Sequence, residues 1–293
     1  MQSISSTTQR GTSKKNGNRP LINDLNDLPF PSFEYYGGVM KFLSEYTKDI
    51  PFLSVEEHIH LEFGRGCPFD CTFCSNGYLW KRKYRLKSPD RMISEISYCH
   101  QKFGAKKFLF HQQLFTAHEN KTLEFCEALI ANNLNIEWSC FTRSDRLTDK
   151  LLAAMKKSGC NTVMIGIESG SQRIQDLIGK NTVLSEVESA IEKIISYGIK
   201  PQLSFIIGFP DETQEDFQLT LDMYFKYKYL DNVESQIGIL APAGGIRILD
   251  QYNDELLFDG IQTTTWYTRF FDKESIHEMQ ENPRVYPQNF YFK

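Results

Sequence analysis

His58-Ile-His-Leu61-Glu-Phe-Gly64-Arg-Gly66-Cys67-Pro-Phe-Asp-Cys71-Thr-Phe73-Cys74-Ser75 is a short apolar strand pattern that runs into a glycine-bearing loop carrying three cysteines. Three thiolates at Cys-x3-Cys-x2-Cys spacing suit an iron–sulfur cube better than any other metal. A 4Fe–4S cube has four irons, so three cysteines leave one iron without a protein ligand. An open coordination position is what separates catalytic metal sites from closed ones, and the vacancy points to catalysis rather than electron storage. A structural zinc site would want a fourth Cys or His nearby, usually as a second pair. His58 and His60 lie upstream in the strand pattern, and no second pair follows. Disulfides would leave one thiol of the three over.

Downstream of residue 55, β-branched runs alternate with helical patterns, which reads as repeated βα units on a parallel sheet. The expected strands are 58–63, 107–111, 135–140, 162–167, 202–207 and 233–240. The expected helices are 89–103, 119–132, 148–158, 184–197 and 213–227. Ser88-Pro89 supplies a cap followed by a first-turn proline, while Gly159 and Gly198 stand where helices end. The fold class is therefore α/β: a partial (β/α)6 TIM-like barrel with a short irregular C-terminal extension. Such barrels place their chemistry at the carboxyl ends of the strands. The cysteine loop follows the first strand, His111-Gln112-Gln113 the second and Arg143 the third. Glu168-Ser169 ends the fourth strand and Gly208-Phe-Pro210 the fifth.

The cysteine loop, with Phe73 just before the third cysteine, resembles the signature of radical S-adenosylmethionine (radical SAM) enzymes. The resemblance extends through Trp138-Ser-Cys-Phe-Thr-Arg143-Ser-Asp145, Gly166-Ile-Glu168-Ser169-Gly170-Ser171 and Ser204-Phe-Ile-Ile-Gly208-Phe-Pro210-Asp-Glu-Thr213. It covers about residues 20 to 250 and is closest in kind to the branch whose members often carry an upstream cobalamin-binding domain. The resemblance implies a 4Fe–4S cluster on Cys67, Cys71 and Cys74, with SAM chelating the open iron. Reductive cleavage would yield a 5′-deoxyadenosyl radical that modifies a metabolite, lipid or peptide, methylation being a candidate. A non-catalytic or degenerate iron–sulfur subunit supporting a partner enzyme is the alternative.

For the SAM contacts, the resemblance implies Phe73, Gln112, Arg143, Glu168, Ser169, Gly208 and Pro210. Each has a plain structural reading beside it. Glu168 and Ser169 suit capping of the next helix, Arg143 suits pairing with Asp145, and Gly208-Phe-Pro210 suits a strand-to-helix turn. Phe73 either packs on adenine or shields the cluster. Related sequences commonly carry acidic residues where this chain has Gln112 and Gln113. An amide still accepts a hydrogen bond from an ammonium but offers no charge attraction, so SAM binding is expected to be weakened but retained.

The chain has 293 residues, of which 41 % are hydrophobic, enough for one substantial core. A formal net charge of −4 argues against a general nucleic-acid binder. Seven cysteines without an extracellular framework, no membrane-length apolar run and no signal-peptide pattern make the cytoplasm the expected compartment. Cys99, Cys126, Cys140 and Cys160 read as small buried hydrophobes rather than an auxiliary cluster. Residues 1–20 lack apolar content and are expected to be a disordered tail. Residues 21–54 form a linker or N-terminal extension, 55–240 the barrel, and 241–293 an extension that covers it with its aromatic residues. The cobalamin domain of related chains is expected to be a separate polypeptide, to have been lost, or to lie in a longer protein of which this chain is a fragment, so cobalamin, where used, is expected from a separate domain or chain. The basic run Lys81–Lys87 suits a solvated surface or contact with an acidic partner, and an electron donor such as flavodoxin or ferredoxin is the expected protein partner.

Overall fold

Alternation along the strands decides which side of the sheet meets the helices. The computed structural model describes residues 19–33 and 58–257, together with the short stretches 5–7, 13–15 and 291–292 and positions 277 and 281. Six parallel strands form its central sheet: β1 (His58–Leu61), β2 (Lys107–Phe110), β3 (Glu137–Thr142), β4 (Cys160–Glu168), β5 (Lys200–Ile207) and β6 (Glu234–Ile239). They lie side by side in sequence order, with β1 and β6 at the two edges. Helices α1 (Pro89–Phe103), α2 (Glu119–Ala131), α3 (Asp149–Lys157), α4 (Leu184–Ser196) and α5 (Gln214–Lys228) connect them. The arrangement is a partial (β/α)6 barrel, open between its edge strands among the described residues.

One face of the sheet is dry. Leu61, Phe108, Phe110, Trp138, Val163, Ile165, Ile167, Leu203 and Phe205 are buried there against Met92, Ile96, Phe125, Leu151, Ile191 and Ile194 of the helices. Phe63, Phe110, Phe115, Phe125 and Trp138 stack within this layer at centroid distances of 5.0–6.1 Å. Each such ring contributes about 1.5–3 kcal/mol through burial. The opposite face is half-open, and the parallel register aligns Phe141, Met164, Gln202 and Glu234 in one row across it. That row lies beneath the strand ends where the chemistry is expected.

Local signals set most boundaries. Ser88 accepts from the Arg91 amide at 3.2 Å and Pro89 opens α1. Ser88→Ala should therefore lower stability by about 1 kcal/mol, read as an earlier urea midpoint with an unchanged slope. Gly198 follows α4 with φ +67 and Gly159 follows α3 with φ +100. Strand β3 starts two residues later than expected. Asn133 takes a left-handed φ of +50 and the Ile136 amide bonds Leu134, so the chain is still turning there.

Residues 21–33, the described part of the segment expected to be a linker, are docked. Leu25 is buried, Arg91 donates to the carbonyls of Asn26 and Leu28 at 3.1 and 2.6 Å, and its guanidinium lies 4.2 Å from the Phe30 ring. Within the tail expected to be disordered, Ser5–Thr7 pairs antiparallel with Ser13–Lys15. Leu256–Leu257 pairs with Tyr291–Phe292, and Phe292 is buried. The other tail aromatics, Trp266 to Tyr286, lie outside the described residues. Cys99, Cys126, Cys140 and Cys160 are buried as expected. Three of them, Cys126, Cys140 and Cys160, come within electrostatic range of one another, and burial pushes the Cys126 thiol up to about 12. Burial raises Cys140 as well, and all three side chains act as packing groups. Among the described residues no helix is long and apolar enough to cross a membrane.

Candidate cluster site

The three cysteines lie on a loop that is pinned from four sides. Before it, Gly64–Arg65 pairs antiparallel with Arg85–Leu86, and Gly66 turns with φ +90 where a Cβ would come 2.1 Å from the Lys83 carbonyl oxygen. The Gly66 amide donates to Gln113 Oε1 at 3.1 Å. From below, the Thr72 amide donates to Ile178 O at 2.9 Å. From the C-terminal side, the Ile248 amide donates to Thr72 O at 3.1 Å, and Arg247 bonds Asp70 through its carbonyl and, at 3.3 Å, its carboxylate. Within the loop, the Cys74 amide closes on Cys71 O at 3.2 Å and a short helix, Asn76–Trp80, follows.

The sulfurs are half-buried. Burial pushes the Cys71 thiol up to about 11, although Lys180 and Arg143 pull it down, and burial likewise raises Cys67. Asn76 Nδ2 lies 3.3 Å from Cys74 Sγ, and Arg143 Nη1 lies 4.0 Å from Cys71 Sγ. Thiolates formed here would thus meet a cation and an amide donor. Among the described residues no set of three or more His, Cys, Asp or Glu converges as around a single metal ion. A cube instead seats each thiolate on a different iron.

Arg143 is 7 % exposed and already engaged. It forms a fork with Asp145 at 2.9 and 3.2 Å, donates to Lys180 O at 2.7 Å and stacks 3.8 Å from the Phe69 ring. The pairing with Asp145 is present, and the same guanidinium braces the cysteine loop. Glu168 ends β4 at a bulge, where the register with β5 shifts after Gly166, and its φ is +70. A bulge re-aims a side chain, and a positive φ outside glycine stores strain found mostly at functional sites. Its Oε1 accepts from Lys180 Nζ at 2.6 Å, with both side chains nearly buried. Gly166 leaves the space this carboxylate folds into, because a Cβ there would sit 2.1 Å from Glu168 Oε1.

Ser169 is fully buried; its hydroxyl bonds Thr220 at 2.9 Å and accepts from the Ser171 amide at 3.1 Å. It therefore props the turn into the helix Gln172–Leu177, whose cap is Ser171. Gly208 (φ +80) donates its amide to Glu212 Oε2 at 2.6 Å. Phe209, between Gly208 and the buried Pro210, meets Phe73 edge-on at 5.7 Å. Phe73 thus seats the cysteine loop on the fifth strand end within the apolar patch of Ile174, Ile178, Leu240 and Ile246. Gln112 donates to Leu114 O at 3.1 Å. The basic run divides: Lys81, Arg82 and Lys83 are exposed, whereas Lys87 is buried on Glu95 at 2.7 Å.

Two residues escaped the sequence reading. Lys180 follows the short helix Gln172–Leu177, and its partners Glu168 and Arg143 lie 12 and 37 residues away in the chain. Glu212 stands in what reads only as a helix start. Burial raises its carboxyl above the usual range.

The residues fit a cube and a cationic sulfonium cofactor. Gln112 Oε1 and Glu212 Oε1 are buried acceptors at the ends of β2 and β5 that take no hydrogen bond from the described residues. Unpaired buried acceptors carry a desolvation penalty of about 1–3 kcal/mol, which the ammonium, amino and hydroxyl donors of SAM are suited to offset.

A family model described as the radical SAM superfamily matches residues 61–224. An uncharacterised methyltransferase of Pyrococcus horikoshii is 33 % identical over 231 residues, covering 78 % of this chain and 47 % of that protein. The anaerobic magnesium-protoporphyrin IX monomethyl ester cyclase of Rubrivivax gelatinosus is 33 % identical over 192 residues, covering 62 % of this chain and 34 % of the cyclase. The chain thus spans half or less of the length of these relatives. Among solved structures, the cobalamin-dependent radical enzyme OxsB, with aqua-cobalamin and S-adenosylmethionine bound, superimposes with a TM-score of 0.62 at 20 % identity, over 85 % of this chain and 35 % of OxsB. The radical S-adenosylmethionine methyltransferase TsrM from Kitasatospora setae gives 0.63 at 13 % identity, over 80 % of this chain and 46 % of TsrM. These likenesses place the partial barrel among known folds.

Proposed function

Because the chain belongs to the radical SAM superfamily, we propose that Cys67, Cys71 and Cys74 hold its 4Fe–4S cluster and that the strand ends around them bind SAM for radical modification of a small molecule or peptide. The observation that carries this is the convergence of the pinned cysteine loop, the strained Glu168 and two unpaired buried acceptors at the carboxyl ends of one parallel sheet. Held by these three thiolates and reduced, a 4Fe–4S cluster would supply the electron for reductive cleavage of SAM into methionine and a 5′-deoxyadenosyl radical.

The residues then have separate tasks. Gln112 Oε1, an unpaired buried acceptor, would take an N–H donor of SAM, and Glu168 would take an amino or ribose donor. Gly208-Phe-Pro210 and Phe73 form an apolar wall suited to adenine, with Glu212 fixing the turn. Arg143 and Ser169 act behind the site, one bracing the loop and the other the β4 turn. The half-open row of Phe141, Met164 and Gln202 would face the substrate.

Methyl transfer to carbon is the reaction we favour, on the strength of the relatives named as methyltransferases. Cobalamin from a separate domain or chain accords with the names of OxsB and TsrM. A one-electron donor such as flavodoxin or ferredoxin would reduce the cluster. We assign residues 55–240 to the catalytic core and 241–293 to a cover, supported by the bonds of Arg247 and Ile248 to the loop. Calorimetric titration of SAM into the cluster-loaded chain tests the site. Glu168→Ala should keep the cluster but weaken SAM roughly 10- to 100-fold, since a charged hydrogen bond contributes about 1.5–3 kcal/mol. Unchanged affinity would confine Glu168 to a local structural role.

A further inference from the structure

The buried pair Lys180–Glu168 stands between β4 and the cysteine loop. Lys180 is 4 % exposed and Glu168 9 %. The ammonium donates to Glu168 Oε1 at 2.6 Å and to the Gly166 carbonyl. The Lys180 carbonyl accepts from Arg143 Nη2 at 2.7 Å, and Arg143 in turn lies 4.0 Å from Cys71 Sγ. Two residues before Lys180, Ile178 O holds the Thr72 amide at 2.9 Å. One short segment, 178–180, therefore grips the loop through its backbone and the strained carboxylate through its side chain.

Stability alone is a weak reason for such a pair. Two charges removed from water recover little more than their desolvation penalty, and an apolar pair of similar volume often serves as well. The location gives a better reason. Both charges act on the Cys71 sulfur, the lysine favouring negative charge there and the carboxylate opposing it. Reducing a thiolate-held cluster adds negative charge, and cluster potentials respond to local charge, hydrogen bonds and burial.

We propose that Lys180 is a positioning residue that locks Glu168 into its folded-back conformation and balances that carboxylate's field at the cluster, so that the two residues are opposed levers on the reduction potential. The proposal rests on the cluster assignment above. Neutralising the cation should make reduction harder, and neutralising the carboxylate should make it easier. Removing both charges should nearly restore the starting value.

The test is an anaerobic redox titration of the reconstituted full chain without SAM, followed by electron paramagnetic resonance. It uses wild type, Lys180→Met, Glu168→Gln and the double variant, all at the same pH. Iron and sulfide content are measured on every sample. About a tenfold change in the reduced-to-oxidised ratio is expected for each single variant, or about 59 mV for one electron. The shift should be negative for Lys180→Met and positive for Glu168→Gln, with the double variant near wild type. Shifts of the same sign, or none in fully loaded proteins, would overturn the proposal and leave a merely structural pair. Should Lys180→Met fail to load, Glu168→Gln decides alone: a positive shift supports the proposal and an unmoved potential refutes it. A wild-type chain that takes up no cluster would instead sink the assignment on which the proposal rests.

Discussion

Cys71→Ala should leave a folded chain that reconstitutes no stable 4Fe–4S cluster. Iron and sulfide fall to background, the brown charge-transfer absorbance is lost, and SAM cleavage goes with them. The effect is the largest expected because cluster binding needs all three thiolates. The remaining four cysteines are buried in the core, away from the loop surface. The fold should survive, because the loop is held by backbone bonds from Thr72 to Ile178 and from Ile248 to Thr72. Far-ultraviolet circular dichroism and gel filtration separate cluster loss from unfolding. A Cys71→Ala chain that still holds a full, redox-active cluster would show that the ligands lie elsewhere.

Gly66→Ala should come next in severity. Gly66 has φ +90, a conformation that disfavours an L side chain by about 1–2 kcal/mol. An added Cβ would also sit 2.1 Å from Lys83 O and 2.9 Å from Lys83 C. These are backbone atoms of the segment leading into the facing strand Arg85–Leu86 and cannot swing aside as a side chain would, so overpacking adds about 1–3 kcal/mol. The ladder Gly64–Arg65 with Arg85–Leu86 must then part, freeing the loop at its first cysteine. The expected result is a lowered melting temperature together with poor iron loading. Gly104→Ala is the matched control, with φ +67 but nothing within 4 Å of the added Cβ. It should shift stability modestly and leave cluster loading intact. Equal loading in the two variants would mean that the Gly66 turn does not shape the site.

The parallel βα order was legible because each strand is a β-branched or aromatic run and the helices carry local start and stop signals, such as Ser88-Pro89 and Gly198. The cysteine loop was legible because its chemistry sits in eight consecutive residues. What escaped depends on distance along the chain. The Glu168–Lys180 pair forms only because the bulge after Gly166 turns Glu168 toward the segment after the helix Gln172–Leu177. That helix is six residues long, too short for a periodic pattern to announce it. Cys126, Cys140 and Cys160 look scattered in sequence but meet in the core through α2, β3 and β4. Gln113, standing with Gln112 where related sequences commonly carry acidic residues, holds the Gly66 amide. Gln112 beside it keeps an unpaired acceptor. Adjacent amides in a strand-end turn point different ways, and spacing alone does not assign them.

The most direct test of the central claim is release of 5′-deoxyadenosine from SAM by the anaerobically reconstituted chain under strong reductant, with Cys71→Ala beside it. The account expects 5′-deoxyadenosine and methionine from the wild-type chain and none above background from the variant. A wild-type chain with full iron and sulfide content that binds and cleaves no SAM would contradict it.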